Sequence, residues 1–443
     1  MSEAARAEPD GLPQPRRLYA TVALAAGIAI AVLDASMVNI ALPSAARALG
    51  LTPAEAVWVV NAFQITVVGM LIPFSSLGEI LGFKRVWTFG IALFSLGALG
   101  SAMAPDFSVL LAARVVQGFG AAAVMSLLAG LIRHSYPARQ LGQAIGNNAM
   151  TVAICSAAGP SIGAAVLAVA PWPFVFAVHV PIGLAVLIFG VRYLPDVPRQ
   201  RRPFDYGAAA LNVAAFGLIF LGVDLLLHRP GMGVVLLVAG IVCAGLLIWR
   251  EMARPIPLLP LDLLGLRPIR VALIASVCMF AVHMLIVINM PFHLSAAGFS
   301  PFEIGLIITP YPIVIGLLAP IAGRLSDRMP SAIPCAIGGG VLALATLTLS
   351  YLPARPELIC PALLVAGLGF GFFQAPNNRT LLGSAPRARA GSAGGMQATA
   401  RVLGQAAGAT LASACFTLAG PWLAFLCGSV LAAIAGLVSL SRR

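Results

Sequence analysis

Fourteen times along its 443 residues the chain runs for the length of a membrane crossing with hardly a charge in it. About 20 apolar residues, rising about 1.5 Å each, cover the roughly 30 Å hydrocarbon core of a bilayer, and a helix satisfies every backbone group inside that core. The runs cover 18–42, 56–80, 86–105, 107–132, 141–170, 174–194, 206–227, 231–249, 271–295, 302–323, 332–352, 357–376, 393–418 and 421–440. Composition removes the alternatives. The chain is 60% hydrophobic and 9% charged, whereas a soluble shell needs about a quarter of its residues charged. A soluble enzyme, a disordered chain and a nucleic-acid-binding domain are excluded, and the fold class is an all-α polytopic membrane protein.

The charge balance, 27 Lys and Arg against 15 Asp and Glu, gives +12. Such an excess suits an anionic partner such as nucleic acid, but its placement explains it without one. With the N-terminus inside, 22 of the basic residues fall in inside loops, 3 (Arg47, Arg229 and Arg355) outside, and 2 (Arg114 and Arg401) within spans. Basic residues concentrate on the cytoplasmic side of membrane proteins, so both termini are expected in the cytoplasm. The first run is expected to be a retained span, being too long for a signal-peptide core and carrying Asp34 after Glu3, Glu8 and Asp10. All seven cysteines lie in apolar runs without CxxC spacing, so neither a disulfide framework nor a metal site is expected.

The chain also repeats itself. Ser75, Glu79, Gly82, Lys84 and Arg85 follow span 2; Gly323, Asp327 and Arg328 follow span 10. Both copies set a carboxylate four residues after a small residue, beside basic residues at the inner end of a helix. Arg114, Gln117, Gly118 and Gly120 open span 4, and Gly367, Gly369, Gly371 and Gln374 fill span 12. The offset implies two six-helix bundles, 1–199 and 256–443, with a two-helix hairpin, 200–255, inserted between them. Internal repeats around a central cavity mark secondary transporters.

These residues resemble the major facilitator superfamily over essentially the whole chain, and more narrowly its 14-span drug:proton antiporter branch (the EmrB/QacA type). Span 1 carries Leu33, Asp34, Val38, Asn39, Ala41, Leu42 and Pro43, close to that branch's signature, and Trp58 fits the position that follows. The segments after spans 2 and 10 look like the superfamily's loop motif, and Arg114 to Gly120 looks like its span-4 motif. Gly159, Pro160 and Gly163 look like the antiporter motif of span 5. The chain departs from these patterns at Ser75, Glu79, Ile80, Pro330, Cys155 and Ala164. The resemblance implies a major facilitator fold, with spans 1 and 4 side by side at the cavity, and proton-coupled antiport by alternating access.

Asp34 is the most informative residue. A carboxylate within a span is expensive unless it meets water or a partner. It lies about 24 Å from the inner surface and roughly 6 Å from the outer one, while Arg114 lies about 10 Å deep from outside. Burial favours a neutral carboxyl and a nearby guanidinium favours the carboxylate, so changing their separation would switch protonation; the competing reading is a static pair. Asp224 and His283 are secondary protonation candidates. Asp224 is close enough to His228 and Arg229 for a boundary ion pair, and His283 competes with an ordinary hydrogen-bonded core histidine. His179 reads as a hydrogen bonder, and Arg401 as a structural brace or a contact for an anionic group, the brace being favoured.

Glu79, Gly82, Lys84 and Arg85, with Gly323, Asp327 and Arg328, are candidates for conformational gating. A carboxylate there accepts hydrogen bonds from a facing helix N-terminus in one access state only. Gly159, Pro160 and Gly163 permit close helix approach and a bend. Candidate cavity residues are Asn39, Phe63, Gln64, Phe119, Asn147, Asn148, Asn289, Phe373, Gln374 and Asn377, each competing with plain helix packing. Aromatic and amide groups in an apolar cavity suit small amphipathic or cationic drugs and toxic compounds.

No Walker A sequence, HExxH or GxSxG occurs, so the expectation is a secondary active transporter with no catalytic residue, metal or cofactor, driven by a proton gradient. Its partners are a small-molecule substrate, protons and membrane lipid. A periplasmic adaptor and outer-membrane channel stay open as further partners. The place expected is the bacterial inner membrane. The rivals are an exporter dedicated to one metabolite, antibiotic or lipid-like product, and a polytopic enzyme acting on lipid-linked substrates; a channel is disfavoured for want of a filter-like segment.

Overall fold

The computed structural model describes residues 11–137, 140–197, 199, 203–252, 261–326, 329–385 and 390–442. Helices follow one another almost without loops: α1 (Arg16–Leu49), α2 (Pro53–Leu81), α3 (Phe83–Ala102), α4 (Phe107–Ser135) and α5 (Leu141–Val169). The sixth crossing is split at Val178 into α6 (Phe174–Ala177) and α7 (His179–Tyr193). A hairpin of α8 (Tyr206–His228) and α9 (Pro230–Met252) follows, then the single turn α10 (Leu261–Leu264). The remaining helices are α11 (Arg267–Ala296), α12 (Pro301–Ile308), α13 (Pro310–Ser326), α14 (Ala332–Tyr351), α15 (Pro356–Gly383), α16 (Ala390–Leu418) and α17 (Pro421–Leu440). Pro310 interrupts one crossing into α12 and α13 because it lacks the N–H that would continue the ladder.

Thirteen described helices are long and apolar enough to cross a membrane. The 29-residue α16 matches them in length, but Gln397, Arg401, Gln405 and its glycines dilute its apolarity. Several helices outrun the apolar runs that mark them. The first run stops at 42, yet α1 continues through Pro43 to a left-handed cap at Gly50, φ 66°. An apolar run measures hydrocarbon thickness, and a helix projects beyond it wherever capping lets it. The short 102–107 connection holds because Asp106 caps α4, accepting from Val109 N at 2.9 Å.

The packing repeats. In the first half α3 packs on α4, α2 on α4, α1 on α5, and the sixth crossing on both α1 and α3. In the second half α14 packs on α15, α13 on α15, α11 on α16, and α17 on both α11 and α14. These are the same pairings shifted by one six-crossing unit. Close approach at one equivalent crossing uses glycine in both halves. A Cβ on Gly120 would strike the backbone of Phe94 and Gly90, and one on Gly369 would lie 2.6 Å from Leu342 N. The halves meet where α2 packs on α16, and α5 on α12 and α13; the α8–α9 hairpin lies outside that seam, with α8 against α2 and α16. The seven cysteines are free thiols.

Candidate functional site

The polar centre is built from three helices of the first half. Arg114 Nη1 donates to Asp34 Oδ2 at 2.7 Å, so α4 grips α1 through an ion pair whose side chains are 1% and 0% exposed. Arg114 Nε donates to Val59 O of α2 at 3.0 Å. Gln117, one turn along from Arg114, completes the knot: it accepts from Arg114 at 2.7 Å and donates to Asp34 Oδ1 at 2.9 Å. The guanidinium also lies 4.3 Å from the Phe63 ring centroid and 5.5 Å from that of Phe176. The two charges oppose each other, and both carboxylate oxygens of Asp34 accept a hydrogen bond, as a buried ion pair requires. His179, itself buried, lies within electrostatic reach of both Asp34 and Arg114.

Next to this knot is a cavity between the halves. Ala31, Val32, Ala35, Ser36 and Asn39 of α1, with Phe63, Gln64 and Val67 of α2, form one side. His283, Met284 and Val287 of α11, Tyr311 and Pro312 of α13, and Arg401, Val402 and Gln405 of α16 form the other. Met125, Ser156 and Pro160 complete it. Its room is about 60 Å³, space for a handful of waters, so a substrate-sized molecule needs the halves to part. Asp34 and Arg114 are sealed behind this wall rather than lining it.

At the end where α1 finishes, the halves are tied together. Arg47 Nη1 donates to Ser295 Oγ at 2.5 Å and Ser413 Oγ to Ala54 O at 3.2 Å; nearer the cavity, beside Ser36 and Met37 of α1, Ser161 Oγ shares a 2.7 Å hydrogen bond with Thr309 Oγ1. Gly159 and Gly163 lie on α1, against Ser36 and Met37 respectively, and Gly305 of α12 nests on Ala164. Side chains at these glycines would pry α5 from its neighbours.

Of the cavity residues expected from sequence, Asn39, Phe63 and Gln64 line it, and His283, expected as a secondary protonation candidate, lines it too. Others are placed elsewhere. Asn289 is buried and donates to Leu285 O of its own helix at 2.7 Å. Asn377 donates to Ser276 Oγ at 2.7 Å and to Ala272 O at 3.2 Å, binding α15 to α11, and accepts from Arg442. Phe373 is buried in the second half's core, and Phe119 packs edge-on against Phe74. Gln374 is half-buried on α15, and Asn147 is exposed and Asn148 half-buried near the start of α5, all outside the cavity wall. His283 faces Tyr311, with Nδ1 3.0 Å from its hydroxyl, and stacks on that ring. Asp224 accepts from Ser413 Oγ at 3.1 Å, which joins the hairpin to α16; the side chain of His228 lies outside the described residues.

At the basic end, Gly82 takes a positive φ of 105° between α2 and α3, a turn that a side chain would strain. Lys84 reaches Asp196 at 3.4 Å, but Asp196 is 80% exposed, so this pair adds little stability. Glu79 is half-buried and Arg85 exposed. Gly323 falls within α13, and Asp327 and Arg328 lie outside the described residues. Sequence reasoning did not assign roles to Gln117, Ser36, Ser161 with Thr309, or Tyr311. Only Gln117 carried a signal, its spacing of three from Arg114 placing both on one helix face.

Residues 24–409 match the Major Facilitator Superfamily. The chain is 40% identical to the uncharacterized transporter YebQ of Escherichia coli (strain K12), covering 98% of this chain and 97% of the relative. It is 29% identical to the riboflavin transporter RibZ of Clostridioides difficile (strain 630), over 88% and 86%. It is also 29% identical to the multidrug resistance protein Stp of Mycobacterium tuberculosis (strain CDC 1551 / Oshkosh), over 88% and 74%. Among solved structures, a bacterial homologue of the human lysosomal transporter Spinster, in an inward-facing and unoccupied conformation, superposes with a TM-score of 0.69 at 14% identity, covering 97% of this chain and 98% of that one.

Proposed function

Since the chain belongs to the Major Facilitator Superfamily, we propose that this membrane transporter exports small amphipathic compounds in exchange for protons, by rocking its two halves about the central cavity. The single observation that carries the coupling is the Asp34–Arg114–Gln117 knot, a charge pair wholly buried beside the cavity. In the conformation described, Asp34 accepts hydrogen bonds from Arg114 and Gln117. If α1 and α4 separate, Asp34 loses its counter-charge, and a carboxylate left alone in low dielectric neutralises by taking a proton. Arg114 then carries an uncompensated charge unless the helices rearrange around it, and breaking such a pair costs about 3–5 kcal/mol. A proton on Asp34 and the arrangement of α1, α2 and α4 are therefore two faces of one equilibrium.

The cross-half ties at Arg47 and Ala54 close the end where α1 finishes, and the Ser161–Thr309 tie closes the same side nearer the cavity. With the basic end in the cytoplasm of an inner membrane, as the basic-residue asymmetry favours, this is the form closed toward the outside. Glu79, Lys84 and Arg85 with their second-half counterparts would lock the opposite form. The proton gradient is the energy source, and no cofactor enters the cycle.

The name of the multidrug resistance relative supports a broad substrate range; that of the riboflavin relative supports a second reading, transport of one dedicated compound. A compound panel added to proteoliposomes containing a trapped pH dye tests the proposal. Substrates are expected to move protons in the direction opposite to their own. If compounds that are transported move no protons, the antiport reading fails.

A further inference from the structure

The cavity has an electrostatic bias that the transport reading does not use. Arg401, on α16, lines it at mid-depth and forms no hydrogen bond or ion pair with any described residue. It differs in this from Arg114, whose guanidinium is matched by Asp34, Gln117 and Val59 O. No Asp or Glu occurs among the described residues of the cavity wall; its other titratable members are His283 and Tyr311, which face each other. The nearest carboxylate along α1, Asp34, is already neutralised by Arg114. Arg401 is therefore the one permanently charged side chain on the described wall. An unmatched guanidinium at the depth of hydrocarbon is expensive to keep, and its planar fork is shaped for two-point contact with a carboxylate or similar oxyanion.

Across the cavity stands a second unsatisfied group. Asn39 is 2% exposed, its Nδ2 donates to Ala35 O at 2.8 Å, and its Oδ1 has no partner among the described residues. That oxygen asks for a hydrogen-bond donor. The wall also carries the apolar side chains of Phe63, Val67, Met284 and Val287, with Ser36, Gln64, Ser156 and Gln405 as its further polar members.

We propose that this cavity binds an acidic amphiphile: a small apolar or aromatic body with one anionic oxygen group held by Arg401 and a hydrogen-bond donor met by Asn39. Quaternary and dicationic compounds are rejected by the same charge. The proposal rests on the export reading for its setting and narrows its substrate class.

Binding without any gradient tests it separately from transport. Purified full-length chain in nanodiscs of zwitterionic phosphatidylcholine is titrated with radiolabelled 1-pyrenebutyrate and, in parallel, with a pyrenebutyl trimethylammonium of matching length. The carboxylate is expected to bind at least about tenfold tighter than the cation, the scale of a charged hydrogen bond. Arg401→Gln should weaken carboxylate binding by about 10- to 100-fold, Arg401→Lys should restore part of it, and thermal unfolding and gel-filtration profiles check that both variants are folded. Repeating the titration with phosphatidylglycerol in the disc separates a small anion from a lipid headgroup: competition by that lipid would assign Arg401 to lipid and overturn the proposal. Equal affinity for the cation, unchanged affinity in folded Arg401→Gln, or no binding of the carboxylate to wild-type protein would each overturn it as well. Carboxylate binding without proton movement during transport would sink the antiport reading alone.

Discussion

Arg114 meets Asp34 at 2.7 Å where neither side chain touches solvent, and the same guanidinium holds Val59 O of a third helix. One side chain thus fixes the spacing of α1, α2 and α4. A pair so enclosed contributes little net stability, because desolvation offsets the Coulomb attraction, yet breaking it from one side is costly. That asymmetry is what suits the pair to the proposed switch.

The first expectation concerns stability. Asp34→Asn and Arg114→Gln, made singly, should each destabilise the chain by about 3–5 kcal/mol, since each strands a buried charge. The double variant should recover most of that loss. Thermal unfolding in detergent of all four proteins gives the coupling, and additive losses would mean that the two residues do not act as one unit.

Helix α5 rests on α1 with no room between them. A Cβ at Gly159 would collide with Ser36 Cβ. Gly159→Leu should therefore cut transport severely while leaving membrane insertion intact. Gly159→Ala should impair it less, and adding Ser36→Gly should restore Gly159→Ala toward wild type by vacating the contact. Initial rates of uptake into inverted vesicles measure this; failure of the Ser36→Gly rescue would show that the crossing is not what limits movement.

The two halves are bolted on one side of the cavity through Ser161 and Thr309, whose hydroxyls lie 2.7 Å apart. In a background with the seven native cysteines replaced, Ser161→Cys with Thr309→Cys should form a disulfide on oxidation. Oxidised protein should bind but not turn over, and reduction should restore transport. Full turnover by the crosslinked form would show that this side never opens.

How legible was this in the sequence? The crossings were, because hydrocarbon thickness sets their length, and Asp34 and Arg114 were singled out because charges are rare inside spans. What escaped was detail that depends on how helices face one another. Asn377 and Phe373 have the polarity and size of cavity residues, but they are consumed in packing α15 against α11 and in the second half's core. Arg401 read as a brace because an intramembrane arginine usually has one; its lack of a described partner emerges only with the fold. Helix ends were not legible from the apolar runs: α1 continues past Pro43 and α15 past Pro376. Proline removes one hydrogen bond but does not end a helix held by its neighbours.

The most direct test is to compare exchange with gradient-driven transport in proteoliposomes for wild type and Asp34→Asn, using any compound the wild type exports. The account predicts that Asp34→Asn still exchanges internal for external substrate, yet no longer accumulates it when a pH gradient is imposed. Accumulation by Asp34→Asn at the wild-type rate under that gradient would contradict it.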